Sequence, residues 1–185
     1  MARLILFNMM TVDGFFEGMN REIDWHNVDG DFNEFAIEQL NNASLLIFGR
    51  VTYELMASYW PTPEAVKDDP VVAGKMNSLG KIVFSNTLKK ADWNNTRLIK
   101  GDPVKECNAL KAKHDKDIYI FGSANLAAAL RNEGVIDEYR MIVNPLILGN
   151  GNVLFKPSRK RLSLRLIRSK IFNNGNVLLC YEPVK

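Results

Sequence analysis

The chain has 185 residues, of which 46% are hydrophobic and 24% charged, with a formal net charge of +3. That is enough chain for one domain, here 1–185, to bury roughly 70% of its unfolded surface without a disulfide or metal staple. The weak charge, with no basic group longer than Lys89-Lys90 or Arg159-Lys160-Arg161, excludes the electrostatic footprint of a nucleic-acid binder.

Residues 3–10 are mostly apolar and read as a buried first strand, followed by turn chemistry at Thr11, Val12, Asp13 and Gly14. A long loop then runs through Gly18 and Asn20 to Trp25. Over 31–43 the apolar positions Phe32, Phe35, Ala36, Leu40 and Ala43 fall on one face of a helix. Leu45, Leu46, Ile47 and Phe48 form an unbroken apolar run, which predicts a strand buried on both faces, and Gly49 breaks it before a helix that begins near Val51. The stretch 60–70, with three prolines, reads as a loop. Strands are expected at 81–84 and 96–99. Asp102-Pro103 carries the signature of an N-cap followed by proline at the first helical position, with Val104, Cys107 and Leu110 on the buried face.

Tyr119, Ile120 and Phe121 run into Gly122-Ser123-Ala124-Asn125 and a helix from Leu126 that ends at Gly134. A strand follows at 139–143. Asn173-Asn174-Gly175-Asn176 is a hairpin signal between the apolar segments 162–172 and 177–181. Strands alternate with helices until about residue 145, so the pattern predicts an α/β sandwich with a mainly parallel sheet and an antiparallel C-terminal hairpin at its edge. Two cysteines and two histidines, mutually isolated, make no metal site, and buried free thiols suit a reducing compartment. The apolar run 4–7 is too short for a signal segment and nothing approaches a membrane span, so a cytoplasmic protein is expected.

The strand-Gly-helix turns at Gly49 and Gly122 are the chemically informative features. A helix N-terminus leaves N–H groups unpaired and carries about half a positive charge, and glycine lets an anion approach the backbone. Two such turns in one small domain suit a pyrophosphate-containing dinucleotide, and Arg50 adds a cation beside the first. A cation in a first helical turn opposes the dipole, which itself points to an anionic ligand.

In their order and spacing these pieces resemble the dihydrofolate-reductase-like superfamily. The likeness is specifically to stand-alone bacterial proteins similar to the C-terminal reductase half of the bifunctional riboflavin-biosynthesis deaminase-reductase. The likeness rests on Thr11-Val-Asp-Gly14, Phe48-Gly-Arg-Val-Thr-Tyr-Glu54, Lys81-Ile-Val-Phe-Ser-Asn-Thr-Leu88 and Phe121-Gly-Ser123. Gly134-Val-Ile-Asp-Glu138, Asn144-Pro145 and Leu148-Gly-Asn-Gly151 follow in the same order.

The resemblance implies a three-layer sandwich and an NADPH-dependent reductase. It implies that Gly49, Arg50, Val51 and Thr52 hold the pyrophosphate and 2′-phosphate, that Ser85 and Asn86 lie near the adenosine phosphate, and that Gly122, Ser123, Ala124, Asn125 and Leu126 sit against the pyrophosphate. The substrate implied is a small cyclic or imine-like molecule, pterin-like or riboflavin-precursor-like. The alternative is a non-catalytic nucleotide- or flavin-binding protein on the same fold.

Asp31 carries two opposed expectations. It stands where an N-cap belongs, with Glu34 completing a capping-box-like pair. It also follows Trp25 at nearly the spacing of the pterin-contacting acid of dihydrofolate reductases, so it is the candidate catalytic residue, with a pKa raised among Phe16, Phe32 and Phe35. Asp13 is expected to serve the turn, Trp25 to anchor its loop, and Met9 and Met10 to fill the core. The resemblance and the long apolar C-terminal segment together imply a homodimer.

Overall fold

In the computed structural model, residues 1–158 and 160–184 are described; Arg159 of the basic group lies outside them. An eight-stranded sheet runs in the order β5-β4-β3-β6-β1-β7-β10-β9. Its parallel part comprises β1 (Leu4–Thr11), β3 (Ala43–Gly49), β4 (Gly80–Phe84), β5 (Thr96–Ile99), β6 (Asp117–Phe121) and β7 (Glu138–Asn144). The hairpin β9 (Leu164–Ile171) and β10 (Val177–Pro183) adds antiparallel to β7. A small second sheet, β2 (Phe15–Glu17) with β8 (Asn152–Val153), has no counterpart in the sequence reading.

Alternation along the strands divides the core into two layers. Leu4, Leu6, Leu45, Ile47, Ile118 and Ile120 pack against α5 (Pro103–Lys113) and α6 (Ala124–Asn132) through Cys107, Leu110, Leu126 and Leu130. Ile5, Leu46, Phe48 and Tyr119 face the other way, against Leu40 of α1 (Gly30–Asn41), Tyr53 of α2 (Arg50–Tyr59), and Val72 and Met76 of α4 (Pro70–Ser78). Both cysteines are buried and free, and burial pushes the Cys107 thiol up to about 12, where it is inert.

The stretch 60–70 is not a loop. It holds α3 (Pro63–Asp68) and leads into α4, each opened by the same device as α5: a side-chain N-cap, Thr62 or Asp69, followed by proline at the first helical position. Thr62 accepts from the N–H of Ala65 and Asp69 from that of Val72. The last turn of α4 is closed by Lys81, 1% exposed, whose ammonium donates to the carbonyls of Met76, Asn77 and Leu79 at 2.7–3.2 Å. Burial pushes that ammonium down to about 8.

The crossovers position the site. From β3 the chain passes through α2 to α4 to reach β4 on one side; from β6 it passes through α6, on the opposite face, to reach β7 on the other. Neighbouring strands β3 and β6 therefore form a topological switch point, and the crevice at their carboxyl ends lies between α2 and α6.

Candidate functional site

The helix caps single out this crevice. Four helices, α1, α3, α4 and α5, have an Asp or Thr side chain bonded to a first-turn N–H. The two that flank the switch point, α2 with N-cap Gly49 and α6 with N-cap Ser123, have no side-chain cap and no acid in their first turns. Their unpaired N–H groups and dipoles are left for another acceptor.

Ser123 ties the two turns together. Its backbone is left-handed, at φ 69°. Its Oγ accepts from the N–H of Gly49 at 2.7 Å and bonds to Thr52 Oγ1 at 3.1 Å. Gly122, at φ +59°, packs so closely that an added Cβ would stand 2.7 Å from Thr52 Oγ1. The two glycines thus leave room for the Ser123 and Thr52 side chains, whose bonds draw the two helix ends together.

Of the other expected site residues, Arg50 is turned back along α2 onto Glu54, 2.8 Å away, an exposed i,i+4 pair worth a few tenths of a kcal/mol. Val51 is half-buried at the α2 terminus. Ala124 and Asn125 lie in the first turn of α6, with Asn125 accepting from Lys156; Leu126 is buried, so its side chain serves the core. Ser85 Oγ accepts from the N–H groups of Thr87 and Leu88, which folds the segment after β4, and Asn86 is exposed beside it.

Asp31 departs from both expectations. The cap of α1 is Asp29, whose Oδ1 accepts from the N–H of Phe32 at 2.9 Å, so Asp31 lies inside the first turn. Its carboxylate is held by Lys170 Nζ at 2.6 Å and the N–H of Asn173 at 3.3 Å. These contacts, the Lys170 hydrogen bond first, hold its pKa below the usual carboxylate range rather than above it. The Asp31–Lys170 pair spans 139 residues and joins α1 to the C-terminal hairpin, which no local spacing announces.

Asp13 takes its turn role: its carboxylate accepts from Thr11 Oγ1 and from the N–H groups of Leu148 and Gly149, pinning the turn after β1 to the loop before β8. Met9 is buried and Met10 packs against the core. The segment between β2 and α1 is anchored by asparagines. The N–H of Asn27 donates to Asn144 Oδ1, and the carbonyl of Asn27 accepts from the amides of Asn174 and Asn176. Beside this anchor Trp25 and His26 stack edge-on at 4.6 Å. Burial alone pushes the His26 imidazole down to about 4.

Among the described residues no group of His, Cys, Asp and Glu forms a metal site, and no helix is long and apolar enough to cross a membrane. The flanked, mainly parallel sheet with its antiparallel hairpin edge and glycine-lined switch point is a dihydrofolate-reductase-like fold. A dihydrofolate reductase from Enterococcus faecalis complexed with NADP(H) matches it with a TM-score of 0.67 at 14% identity, covering 99% of this chain and 97% of that one. A putative riboflavin biosynthesis protein from Shewanella sp. PV-4 matches with a TM-score of 0.78 at 24% identity, each chain covered in full.

Within that fold the chain belongs to the RibD C-terminal domain family, whose model matches residues 2–178. It is also similar to YyaP, an uncharacterized protein of Bacillus subtilis (strain 168), with 34% identity over 97% of this chain and 94% of the relative.

Proposed function

We propose that the protein is an NADPH-dependent reductase, a single domain that transfers a hydride to a small cyclic or imine-like substrate of the pterin-like or riboflavin-precursor-like class. The observation that carries this reading is the pair of uncapped helix N-termini at one switch point, bound to each other through Ser123 and packed closely at Gly49 and Gly122. Val51 and Thr52 on α2, and Asn125 and Leu126 on α6, would supply main-chain N–H groups to the diphosphate. Arg50 would release Glu54 for the 2′-phosphate, and Ser85 and Asn86, just after the strand next to β3, present no carboxylate to repel it. When bound, the nicotinamide supplies the hydride; the chain binds and orients it and excludes water.

The test is nucleotide titration followed by cofactor oxidation across a panel of pterins and aminopyrimidines. NADPH is expected to bind roughly ten- to hundredfold more tightly than NADH, the worth of one charge-assisted contact, and Arg50→Ala is expected to erase the difference. Equal affinities in the wild type would remove NADPH preference from this reading.

The Asp31–Lys170 pair favours a second reading, a non-catalytic nucleotide- or flavin-binding protein, because an acid held ionised by a lysine is a poor proton donor. Cofactor oxidation across the panel separates the two, and where turnover is found Asp31→Asn decides the role of Asp31. If Asp31 serves the chemistry, turnover falls by roughly a hundredfold with NADPH affinity unchanged. Wild-type turnover in the variant would leave Asp31 as a tie between α1 and the hairpin.

The cytoplasmic homodimer belongs to the same proposal. Edge strand β9 exposes Leu164 (39%), Leu166 (50%), Ile167 (42%) and Ile171 (78%), more apolar strand than a free edge tolerates, and a second copy would cover it. Light scattering at micromolar concentration should return twice the chain mass of 21.0 kDa; the mass of one chain would refute the dimer.

A further inference from the structure

Asn8 interrupts an otherwise apolar run in β1, between Phe7 and Met9. It is 5% exposed, and its Nδ2 is buried without a hydrogen-bond partner among the described residues. An amide left so gives up its hydration for nothing in return, whereas leucine, of nearly the same shape, would continue the pattern of Leu4 and Leu6 without that loss. Its place in the sheet supplies a reason. The pairing of β1 with β6 ends at Phe7 opposite Phe121, so Asn8 lies alongside Gly122, the glycine that turns the chain into α6. By alternation its side chain lies on the face where Leu4 and Leu6 meet α6, beneath the uncapped first turn. An asparagine amide turns over readily about its last torsion, so either end can be presented to a neighbour.

We infer that Asn8 is a nucleotide-contacting residue, its side-chain amide donating a hydrogen bond to the dinucleotide held between α2 and α6. This rests on the nucleotide-binding reading above and adds a contact from the sheet to those from the two helix ends. Asn8 thereby has a partner only when the site is filled, which accounts for a buried amide kept in an apolar strand.

The test measures NADPH affinity by fluorescence titration and melting temperature without nucleotide, for the wild type, Asn8→Leu and Asn8→Ala. Asn8→Leu is expected to bind NADPH roughly five- to tenfold more weakly, the worth of one neutral hydrogen bond, while melting at the wild-type temperature or above. Asn8→Ala should show the same loss of affinity at a lower melting temperature, and it decides the matter if leucine does not fit. Wild-type affinity in either folded variant overturns the inference and leaves the nucleotide reading intact. A wild type that binds no NADPH removes both.

Discussion

Gly122→Ala is expected to weaken NADPH binding by roughly a hundredfold, about 3 kcal/mol, with a comparable loss of stability. Two effects combine. The left-handed backbone at φ +59° costs an L-residue about 1–2 kcal/mol. The new methyl would also stand 2.7 Å from Thr52 Oγ1 and 3.0 Å from its Cγ2, both on a short branched side chain tied to Ser123. Relief requires the turns at Gly49 and Gly122 to separate, which pulls apart the two sets of N–H groups. A second substitution, Thr52→Ala, should restore part of the affinity by removing the collision while the backbone cost remains. Titration of the single and double variants checks this; wild-type affinity in Gly122→Ala would show that the close contact of the turns is irrelevant to binding.

Acid should destabilise the protein by about 3 kcal/mol between pH 6.5 and pH 4 through His26 alone, since a pKa held near 4 in the fold against 6.5 outside it corresponds to that energy. The sign follows from proton counts. In this window the unfolded chain takes a proton on His26 that the folded chain refuses, so stability is fully present above pH 6.5 and lost as the pH falls towards 4. The segment carrying His26 is held by the asparagine anchor at Asn27, so the loss should begin there, with Trp25 fluorescence reporting it. Urea unfolding at pH 7 and pH 4.5 tests this, with His26→Phe expected to flatten the dependence. An unchanged slope in that variant would assign the acid sensitivity elsewhere.

Much of the fold is legible locally because its signals are short-range. Apolar runs mark β1, β3 and β6, and their continuity, without alternation, announces strands covered on both faces. Asp102-Pro103 marks α5 by a cap and a preset φ, both properties of adjacent residues. The same rule, applied at Thr62-Pro63 and Asp69-Pro70, marks α3 and α4; reading the prolines there as breakers rather than first-turn residues hides two helices. The cap of α1 shows the opposite limit, because Asp29 and Asp31 are both chemically competent and only the backbone angles at Asp29 choose between them.

By itself, then, the sequence determined the order of the main-sheet strands and of α1, α2, α5 and α6, the glycines at 49 and 122, and the cation at 50, since each is set by neighbouring residues and by backbone preferences that act within a few positions. Only the tertiary structure decided that the two turns meet. That requires β3 and β6, 74 residues apart at Gly49 and Ser123, to become neighbours, a matter of sheet order that no local pattern encodes. It also decided that Lys170 claims Asp31 across 139 residues and that the Asn8 amide lies buried, one residue beyond the pairing of Phe7 with Phe121, without a partner among the described residues. Charge pairing and hydrogen-bond satisfaction depend on which groups the folded chain brings within about 3 Å, and that distance is fixed by packing rather than by spacing along the chain.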